Sequence, residues 1–324
     1  MIIQQGSSQQ HFSWPRTLCA FLVVATVRLI QGRRRHGYKG RHIPHVLHKT
    51  GPFDCLDDVP QILQKSIAMS LASLEAGTGT SFRCNFNSDM DCQRFIATKF
   101  SGQVAKAYDM LLPSAYRADL WRLAVLYEEG GYYSDIGQRI MLPAMTVRDK
   151  RCGDRDPDLF VVADSPMRGV QLSFIACRPR LPFIRFALEH MAEQVLRREL
   201  GRNHLDITGP CALLRHFLAF FFDCNCVNGE EGETSFMQAQ QAARRGRLPR
   251  GVFCARGTVV CCIYEQSGPR AIRDSRTGER VIATKYPDPK TYNRLVYDDD
   301  DGNQRPHYSE MWKSGKDSVF DIDI

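Results

Sequence analysis

The chain has 324 residues, enough to bury one large hydrophobic core or two small ones. Hydrophobic residues make up 43% and charged residues 24% of the sequence, ordinary proportions for a folded globular protein. The formal net charge is +7, but five of the 43 Lys and Arg residues lie in one run, residues 33–42, and the rest is close to balanced. No basic stripe with interleaved aromatic residues accompanies this charge, so it does not predict a nucleic-acid-binding protein.

The first apolar run, TLCAFLVVATV at residues 17–27, is shorter than the about 20 apolar residues that a membrane span needs. It is typical of a signal-peptide h-region or a weak signal anchor, although the basic cluster follows it, which fits poorly with a lumenal C-terminal domain. We predict that residues 1–40 are a targeting segment, with membrane association through residues 17–30 and a Golgi or ER location. A disordered tail with an apolar patch, in a cytoplasmic protein, is the alternative.

From residue 42 onward, strand patterns and helix patterns alternate. Short apolar runs bounded by polar or turn residues predict strands, and apolar residues at helical spacing predict helices. The predicted strands are residues 42–50, 81–87, 132–136, 159–164 and 172–179, and the predicted helices are 58–76, 89–100, 114–129 and 182–200. This alternation predicts an α/β domain over residues 41–324 with a mostly parallel sheet. Beyond residue 225 the composition predicts exposed loops at 228–235 and 298–306.

The helix predicted at residues 114–129 carries an acid and a base on one face. Ser114 is expected to cap this helix, and Asp119 and Arg122 are three positions apart. A carboxylate suits a sugar hydroxyl, and a guanidinium binds phosphate oxygens in a bidentate manner. Taken alone, the pair could equally be a surface ion pair worth a few tenths of a kcal/mol.

The stretch GGYYSD follows this helix. Gly130 is expected to end the helix, and Gly131 to let the chain turn sharply into a strand that ends near Asp135. Asp119 and Asp135 are 135 − 119 = 16 positions apart, enough for the rest of the helix, the turn and a short strand. Open α/β sheets bind ligands outside the carboxyl ends of their strands, so we predict that Asp119, Arg122 and Asp135 converge on one cleft there.

Twelve cysteines are present, and none falls in a CxxC pair. DCNC at 223–226 and CC at 261–262 do not have the spacing of a zinc knuckle. Disulfides in an oxidising compartment and buried free thiols remain equally open.

Taken together, IPHVLHKTG and YRADLWRLAVLYEEGGYYSDI resemble the family 32 glycosyltransferases, which contain a DXD sugar-binding region. The similarity covers residues 42–145 well and continues more weakly at DITGP, residues 206–210. The joint pattern is specific, whereas the GGxYxD portion alone would be weak. The matching residues are Ile43, Pro44, His48, Thr50, Ala118, Asp119, Arg122, Leu126, Tyr127, Gly130, Gly131, Tyr133 and Asp135.

The resemblance implies a nucleotide-diphospho-sugar transferase fold of the A type, with a Rossmann-like, mostly parallel sheet. It implies a hexosyltransferase that moves a sugar from a nucleotide-diphospho-sugar to a glycan, glycolipid or glycoprotein, with retained anomeric configuration and usually with Mn²⁺ (or Mg²⁺). The implied roles are donor sugar hydroxyls for Asp119, sugar or diphosphate for Arg122, nucleotide for Tyr133, ribose and metal for Asp135, and the region of the base for Ile43 and His48.

Gly137 departs from this family pattern, because the second Asp of the DXD is expected at that position. One carboxylate with the donor diphosphate and water would hold a metal more weakly. The C-terminal segment RPHYSEMWKSGK offers His307 as a further metal ligand and Trp312 as a residue that closes the site. We expect Gly137→Asp to tighten manganese binding, provided the backbone there does not need a positive φ.

Two other classes of function remain open. The first is a non-catalytic relative that keeps the fold and binds a nucleotide or a glycan, because a fold does not guarantee activity. The second is a metal-dependent phosphohydrolase that uses Asp135, with Asp164 at the end of the next strand as a further ligand.

Overall fold

The computed structural model describes residues 42–141, 156–164, 169–222, 242, 245, 247–266, 271–285, 288–297 and 306–321. The predicted targeting segment, the predicted loop at 228–235 and most of the one at 298–306 lie outside these residues. Within the described ranges, no helix is long and apolar enough to cross a membrane.

Eight helices and ten strands are formed within the described residues. The helices are α1 (Gln61–Thr78), α2 (Asp89–Lys99), α3 (Gln103–Met110), α4 (Ser114–Glu129), α5 (Pro182–Leu196), α6 (Pro210–Phe222), α7 (Pro289–Tyr297) and α8 (Tyr308–Ser314). The strands are β1 (Val46–Thr50), β2 (Arg83–Asn87), β3 (Gly131–Ser134), β4 (Arg139–Ile140), β5 (Leu159–Asp164), β6 (Gly169–Cys177), β7 (Gly251–Ala255), β8 (Thr258–Gln266), β9 (Ala271–Asp274) and β10 (Arg280–Ala283).

Helix ends differ from the predicted ones for local reasons. α1 continues through Gly77 and ends at Gly79, whose φ of 66° is left-handed and suits a glycine C-cap. Pro113, not Ser114, stands at the N-cap of α4, and it makes no side-chain cap bond. Gly130 ends α4 as predicted, with φ 64° and its N–H donating to the carbonyl of Leu126.

The strands form one mixed sheet in the order β2-β1-β3-β6-β5-β8-β9-β10-β4, with β7 paired to β8. The pairs β1–β2, β1–β3 and β5–β8 are parallel, and the remaining pairs are antiparallel. The prediction of a mostly parallel sheet is therefore wrong, whereas the α/β class is confirmed. Short connections account for four of the six antiparallel pairs (β5–β6, β7–β8, β8–β9 and β9–β10), because a parallel neighbour needs a crossover of a dozen or more residues. The sequence analysis predicted exposed loops in the C-terminal part and did not predict the strands β7 to β10.

Four strands of this mixed sheet nevertheless share one direction. β3 and β5 each run antiparallel to β6, and β8 runs parallel to β5, so β1, β3, β5 and β8 all point the same way. Their carboxyl ends therefore lie along one edge of the sheet.

The sheet is curled. β3 and β4 are joined by residues 135–138 alone, yet six strand pairings separate them in the sheet order. Six flat pairings would span about 29 Å at the usual strand spacing. Five residue steps reach at most about 18 Å, so the far edge of the sheet must bend back toward β3.

Both faces of the central strands are buried. Along β5, Leu159 and Val161 pack into the core formed with α2 to α6, while Phe160 and Val162 pack into the core on the opposite face. This explains the unbroken apolar run of this strand, because a sheet covered on both sides needs no polar face. Of the cysteines in the described residues, Cys55, Cys84, Cys92, Cys177, Cys261 and Cys262 are free thiols.

Candidate active site

A cleft of about 680 Å³ opens at the edge where the parallel-pointing strands end. Thr50, Asp164 and Gln266, the last residues of β1, β5 and β8, line this cleft, and so does Asp135, which directly follows β3. The start of α4, the helices α7 and α8, the first part of β6 and the loop around residues 204–210 supply further parts of its walls. Asp119, Arg122 and Tyr133 also line the cleft, which confirms that the predicted acid–arginine group converges there.

Arg122 lies between the two aspartates. Its Nη2 is 3.2 Å from Asp119 Oδ1, and its Nη1 is 3.4 Å from Asp135 Oδ1. The Arg122 side chain is only 8% exposed, so this is a buried bridge and not the surface ion pair that the i,i+3 spacing alone allowed. Removing the cation would therefore leave the largely buried Asp119 carboxylate without its partner and close to that of Asp135.

The helix backbone and an aromatic ring fix the orientation of the guanidinium. Arg122 Nε donates to the carbonyl of Ala118 at 3.2 Å, and the guanidinium carbon lies 4.5 Å from the centre of the Tyr133 ring. The Tyr133 hydroxyl donates to Asp135 Oδ1 at 2.8 Å. One carboxylate oxygen of Asp135 thus accepts the hydrogen bond from Tyr133 and forms the ion pair with Arg122. Asp135 is therefore held in place before any ligand binds.

Gly131 allows this tight passage from α4 into β3. Its φ of 99° is strained for other residues, and a Cβ there would stand 2.4 Å from Val46 Cγ1 and 2.8 Å from the Val46 carbonyl oxygen. The close approach of β3 to β1 at this point therefore requires glycine.

Burial changes the protonation chemistry of the group. Desolvation raises the pKa of Asp119 to about 7, against the opposing effects of Arg122 and of a hydrogen bond from Thr208. Desolvation also raises the pKa of Tyr133 well above its ordinary value, so its hydroxyl stays protonated as a donor. Asp119 can consequently exchange a proton near neutral pH while Tyr133 cannot.

The weaker sequence match at residues 206–210 has a clear structural role. Thr208 Oγ1 donates to Asp119 Oδ2 at 3.0 Å, which places this loop directly on the acid. Asp206 anchors the loop by an ion pair with Arg215, and its carbonyl accepts from Gln194 Nε2 at 2.7 Å. Asp119 thus has one oxygen on Arg122 and the other on Thr208.

Lys49 is a residue that the sequence reasoning missed. Its side chain is fully buried, and Nζ donates to Ser134 Oγ at 3.1 Å, to the Asp135 carbonyl at 2.8 Å and to the Gln138 carbonyl at 3.3 Å. Desolvation lowers the pKa of Lys49 to about 8, so the ammonium remains mostly charged at neutral pH. A lysine inside a short buried strand was the available signal, since an unpaired charge is rarely buried.

Ile43 and His48 do not reach the cleft. Ile43 packs into the apolar core around Leu47 and Tyr132. His48 is fully buried, with Nε2 2.8 Å from the Gly130 carbonyl and Nδ1 3.1 Å from Asn85 Nδ2. Desolvation lowers the pKa of His48 to about 4. The predicted contact of these two side chains with a base is not supported, because Ile43 precedes β1 and His48 lies inside it, whereas the cleft opens at the carboxyl end of the strand.

Gly137 lies under an aromatic ring. A Cβ on Gly137 would stand 2.1 Å from Tyr292 Cε2 and 2.6 Å from Cδ2. The residue is not among those with positive φ, so space rather than backbone conformation excludes a side chain. Tyr292 belongs to α7, where it packs with Ile136, Val59 and Leu63.

His307 and Trp312 lie apart from each other. His307 lines the cleft and caps the start of α8, with Nδ1 2.7 Å from Ser309 Oγ. Burial and the nearby His204 lower its pKa. Trp312 instead packs against the main core and donates from Nε1 to the Leu200 carbonyl at 2.9 Å. It is not one of the residues that line the cleft, so the prediction that it closes the site is not supported.

The residues present do not fit a divalent metal. Among the described residues, no three His, Cys, Asp or Glu side chains form a group that could hold a metal ion. Asp135 Oδ1 is taken by Arg122 and Tyr133, and both oxygens of Asp119 have partners. The expected pairing of His307 with Asp135 around a metal is therefore not supported, and a metal-dependent phosphohydrolase has no ligand cluster in this part of the chain.

A second polar group lines the same cleft beyond Asp135. The Asp135 N–H donates to the Ser173 carbonyl at 2.9 Å, and Ser173 Oγ donates to Gln171 Oε1 at 3.1 Å. Gln171 Nε2 in turn donates to Asp164 Oδ2 at 2.8 Å and to Gln266 Oε1. These amide, hydroxyl and carboxylate groups suit hydroxyl-rich ligands. Of them, the sequence singled out only Asp164, because the group meets only across the sheet.

Comparison with known proteins agrees with the character of this cleft. Residues 58–150 match the family model described as a glycosyltransferase sugar-binding region containing a DXD motif. The chain is also similar to the solved structure of the PaToxG glycosyltransferase, at 16% identity and a TM-score of 0.42, over 55% of this chain and 70% of that one. A search of curated proteins found no match. Residues 58–150 thus resemble a glycosyltransferase sugar-binding region, and they include Asp119, Arg122, Tyr133 and Asp135.

Proposed function

We propose that the protein transfers a hexosyl group from a nucleotide-diphospho-sugar to a hydroxyl of a glycan, glycolipid or glycoprotein. The observation that carries this proposal is the buried Asp119–Arg122–Asp135 bridge on the cleft, inside the segment that matches the sugar-binding model. Membership of the family 32 glycosyltransferases and retention of anomeric configuration are part of the proposal. So are the targeting role of residues 1–40, membrane association through residues 17–30 and a Golgi or ER location.

In this proposal Arg122 faces the leaving group. A nucleoside diphosphate develops negative charge as the bond to the sugar breaks, and a buried, pre-oriented guanidinium stabilises that charge without reorganising. Asp135 and Tyr133 hold the guanidinium in place, and Asp119 accepts hydrogen bonds from the sugar hydroxyls. The pKa of Asp119, raised to about 7 by burial, lets its carboxyl also donate a hydrogen bond when protonated.

The acceptor would occupy the second polar group, around Gln171, Asp164 and Gln266. Its amide and carboxylate groups line the same cleft and can exchange their mutual hydrogen bonds for bonds to sugar hydroxyls. The acceptor hydroxyl then approaches the sugar on the face from which the diphosphate departs, and its proton passes to an oxygen of that diphosphate as the new bond to the sugar forms.

A binding protein without turnover is the second candidate. The observation that favours it is the commitment of both aspartates to Arg122, together with the Tyr292 ring over Gly137. Such a protein would recognise the nucleotide-sugar or the glycan with the same residues, and it would lack the chemical step.

A donor screen separates the two candidates. The purified full-length chain is incubated with UDP-hexoses, UDP-N-acetylhexosamines and GDP-hexoses, and release of nucleoside diphosphate is followed together with binding. Release from one donor, abolished in Asp119→Asn and Arg122→Met and kept in Asp109→Asn, supports the transferase. Asp109 is an exposed aspartate on α3, so it controls for a general loss of carboxylate. Binding without release supports the second candidate, and the absence of both contradicts both.

A further inference from the structure

Two side-chain cations already hold the oxygens of the Asp135–Gln138 turn. From inside the sheet, the Lys49 ammonium binds the carbonyls of Asp135 and Gln138. From α4, the Arg122 guanidinium binds the carboxylate of Asp135. The turn is further closed by the Gln138 N–H, which donates to the Asp135 carbonyl at 2.9 Å. Oxygens of these kinds are the ligands that Mg²⁺ and Mn²⁺ prefer, and here protein cations and donors bind them.

The ring of Tyr292 closes the remaining approach. It contacts Gly137 in the direction that a side chain at this position would take, and the residue is 9% exposed. Gly137 is the position at which the family resemblance predicts a second carboxylate. That carboxylate is absent, and the space for it is occupied from a helix more than 150 positions away, since 292 − 137 = 155.

We propose that this cleft operates without a resident divalent cation: Lys49 and Arg122 supply its fixed positive charge, and Tyr292 fills the place of the second carboxylate. The lack of a resident cation is a property of the protein alone, whereas binding of a nucleoside diphosphate without metal rests on the proposed function.

Electrostatics supports the exclusion of a divalent ion. An ion on the Asp135 carboxylate would lie close to the Arg122 guanidinium and to the ammonium of Lys49 behind the turn, both of the same sign. Asp135 Oδ1 already binds Arg122 and Tyr133, so an ion would have to displace them or rely on the other carboxylate oxygen alone. A single carboxylate whose charge is shared with Arg122 offers too little compensating charge to hold a divalent ion. Two further cations on the cleft wall, Arg117 and Lys285, are placed to meet the phosphates of a ligand.

Manganese binding by the protein alone gives the first test. Water-proton relaxation enhancement detects weak Mn²⁺ sites, and it is measured on the full-length wild type, on Gly137→Asp, on Tyr292→Ala and on the double variant Gly137→Asp/Tyr292→Ala. We expect no site-specific enhancement in the wild type or in either single variant. This corrects the sequence-based expectation that Gly137→Asp alone tightens manganese binding, because Tyr292 occupies the space that the new side chain needs. The double variant, in which the carboxylate has room, should bind Mn²⁺ at least about tenfold more tightly than the wild type.

Wild-type manganese binding that Asp135→Asn abolishes would overturn the proposal, whether or not the double variant folds. A folded double variant, checked by its thermal melt, that gains no manganese affinity would overturn the role given to Tyr292.

Nucleotide binding gives the second test. Calorimetric titration with UDP and with GDP, in EDTA and in excess Mn²⁺, should give dissociation constants that agree within about twofold for the nucleotide that binds. A loss of more than about tenfold in EDTA would overturn metal-free binding. If neither nucleotide binds under either condition, the proposed function fails, and the relaxation experiment still decides whether the cleft takes a cation.

Discussion

The two walls of the cleft are built in different ways. The inner wall, Ser114–Gln138, is one continuous stretch in which helix, turn, strand and second turn follow each other directly. The outer wall is made of α7 and α8, which reach the cleft from the C-terminal part of the chain. The spacing of residues within the inner wall therefore fixes its chemistry, whereas the outer wall is defined only by tertiary packing. A motif shows which groups a site contains, but a distant segment can decide which groups it excludes.

Each wall contains one position that requires glycine, and the two requirements have different physical causes. Gly131 has a left-handed backbone and touches β1, so it is required by the path of the chain within the inner wall. Gly137 has no such backbone and is required by the Tyr292 ring of the outer wall. Glycine is thus required by backbone conformation at position 131 and by a neighbouring side chain at position 137.

The largest expected effect concerns the inner wall alone. Arg122→Met should lower the free energy of unfolding by about 3–5 kcal/mol, because it leaves the largely buried Asp119 and the half-buried Asp135 without their shared cation. Arg117→Met, a half-buried arginine on the same helix and cleft, should cost less than about 1 kcal/mol. Urea unfolding of both variants checks this, and equal losses would show that the bridge does not stabilise the wall.

Gly131→Ala should be next in size, at about 3 kcal/mol, since it adds backbone strain and a clash with Val46. Gly257→Ala in the turn between β7 and β8 is the matched control. Its φ is also positive, at 70°, but a Cβ there meets nothing within 4 Å, so it should cost only about 1 kcal/mol. The difference between the two unfolding free energies measures the close approach of β1 and β3, and a difference near zero would contradict it.

The substitution Gly137→Ala tests the contact between the two walls. In the wild type it should cost about 2 kcal/mol, because the Tyr292 ring must move. In a Tyr292→Ala background the same substitution should cost close to nothing, so the double-mutant cycle should show a coupling of about 2 kcal/mol. Additive effects in thermal or urea unfolding would mean that the ring does not determine the residue at 137.

The smallest effect is a pH dependence located on the inner wall. Burial raises the pKa of Asp119 from its ordinary 3.8 to about 7, so the folded state binds a proton more tightly than the unfolded state. Its contribution to stability is complete below about pH 4 and is lost as the pH rises toward 7. Over that window Asp119→Asn should gain about 1–2 kcal/mol relative to the wild type, because the amide has no proton to lose.

The comparison must be made between variant and wild type at each pH. His48 acts in the opposite direction, because burial lowers its pKa to about 4 and its contribution to stability is lost as the pH falls from its ordinary 6.5 toward 4. A constant difference between Asp119→Asn and the wild type from pH 4 to 7.5 would contradict a raised pKa for Asp119.

The sequence could predict the inner wall because its information is local. The i,i+3 spacing of Asp119 and Arg122, the glycine stop of α4 and the single strand to Asp135 each follow from short-range rules. It could not predict that Thr208 would reach Asp119 or that Lys49 would support the turn, because both contacts depend on the packing of separate elements. The mixed sheet was missed for a related reason, since an apolar strand pattern does not state the direction of its neighbour.

For residues of the outer wall, the sequence pattern was compatible with both a site role and a packing role, so their positions were not predicted correctly. His307 and Trp312 lie in one short segment, and both were expected at the site. One faces the cleft and the other packs against Leu200, a difference set by which side of α8 meets the core. Tyr292 lies in a stretch that showed no pattern of interest, yet it shapes the site more directly than either.

The four-residue link between β3 and β4 also sets the order in which the site can come into being. β4 pairs with β10 at residues 280–283, in addition to the bond from the Ile140 N–H to Ser70 Oγ of α1, and Tyr292 follows later still. During synthesis 292 − 135 = 157 further residues must be added after Asp135, about ten to thirty seconds of translation. Through that interval the nascent chain carries the acid–arginine motif with neither its covering ring nor its closing strand. The cleft is therefore among the last parts of the molecule to be completed, although its defining residues are made in the first half of the chain.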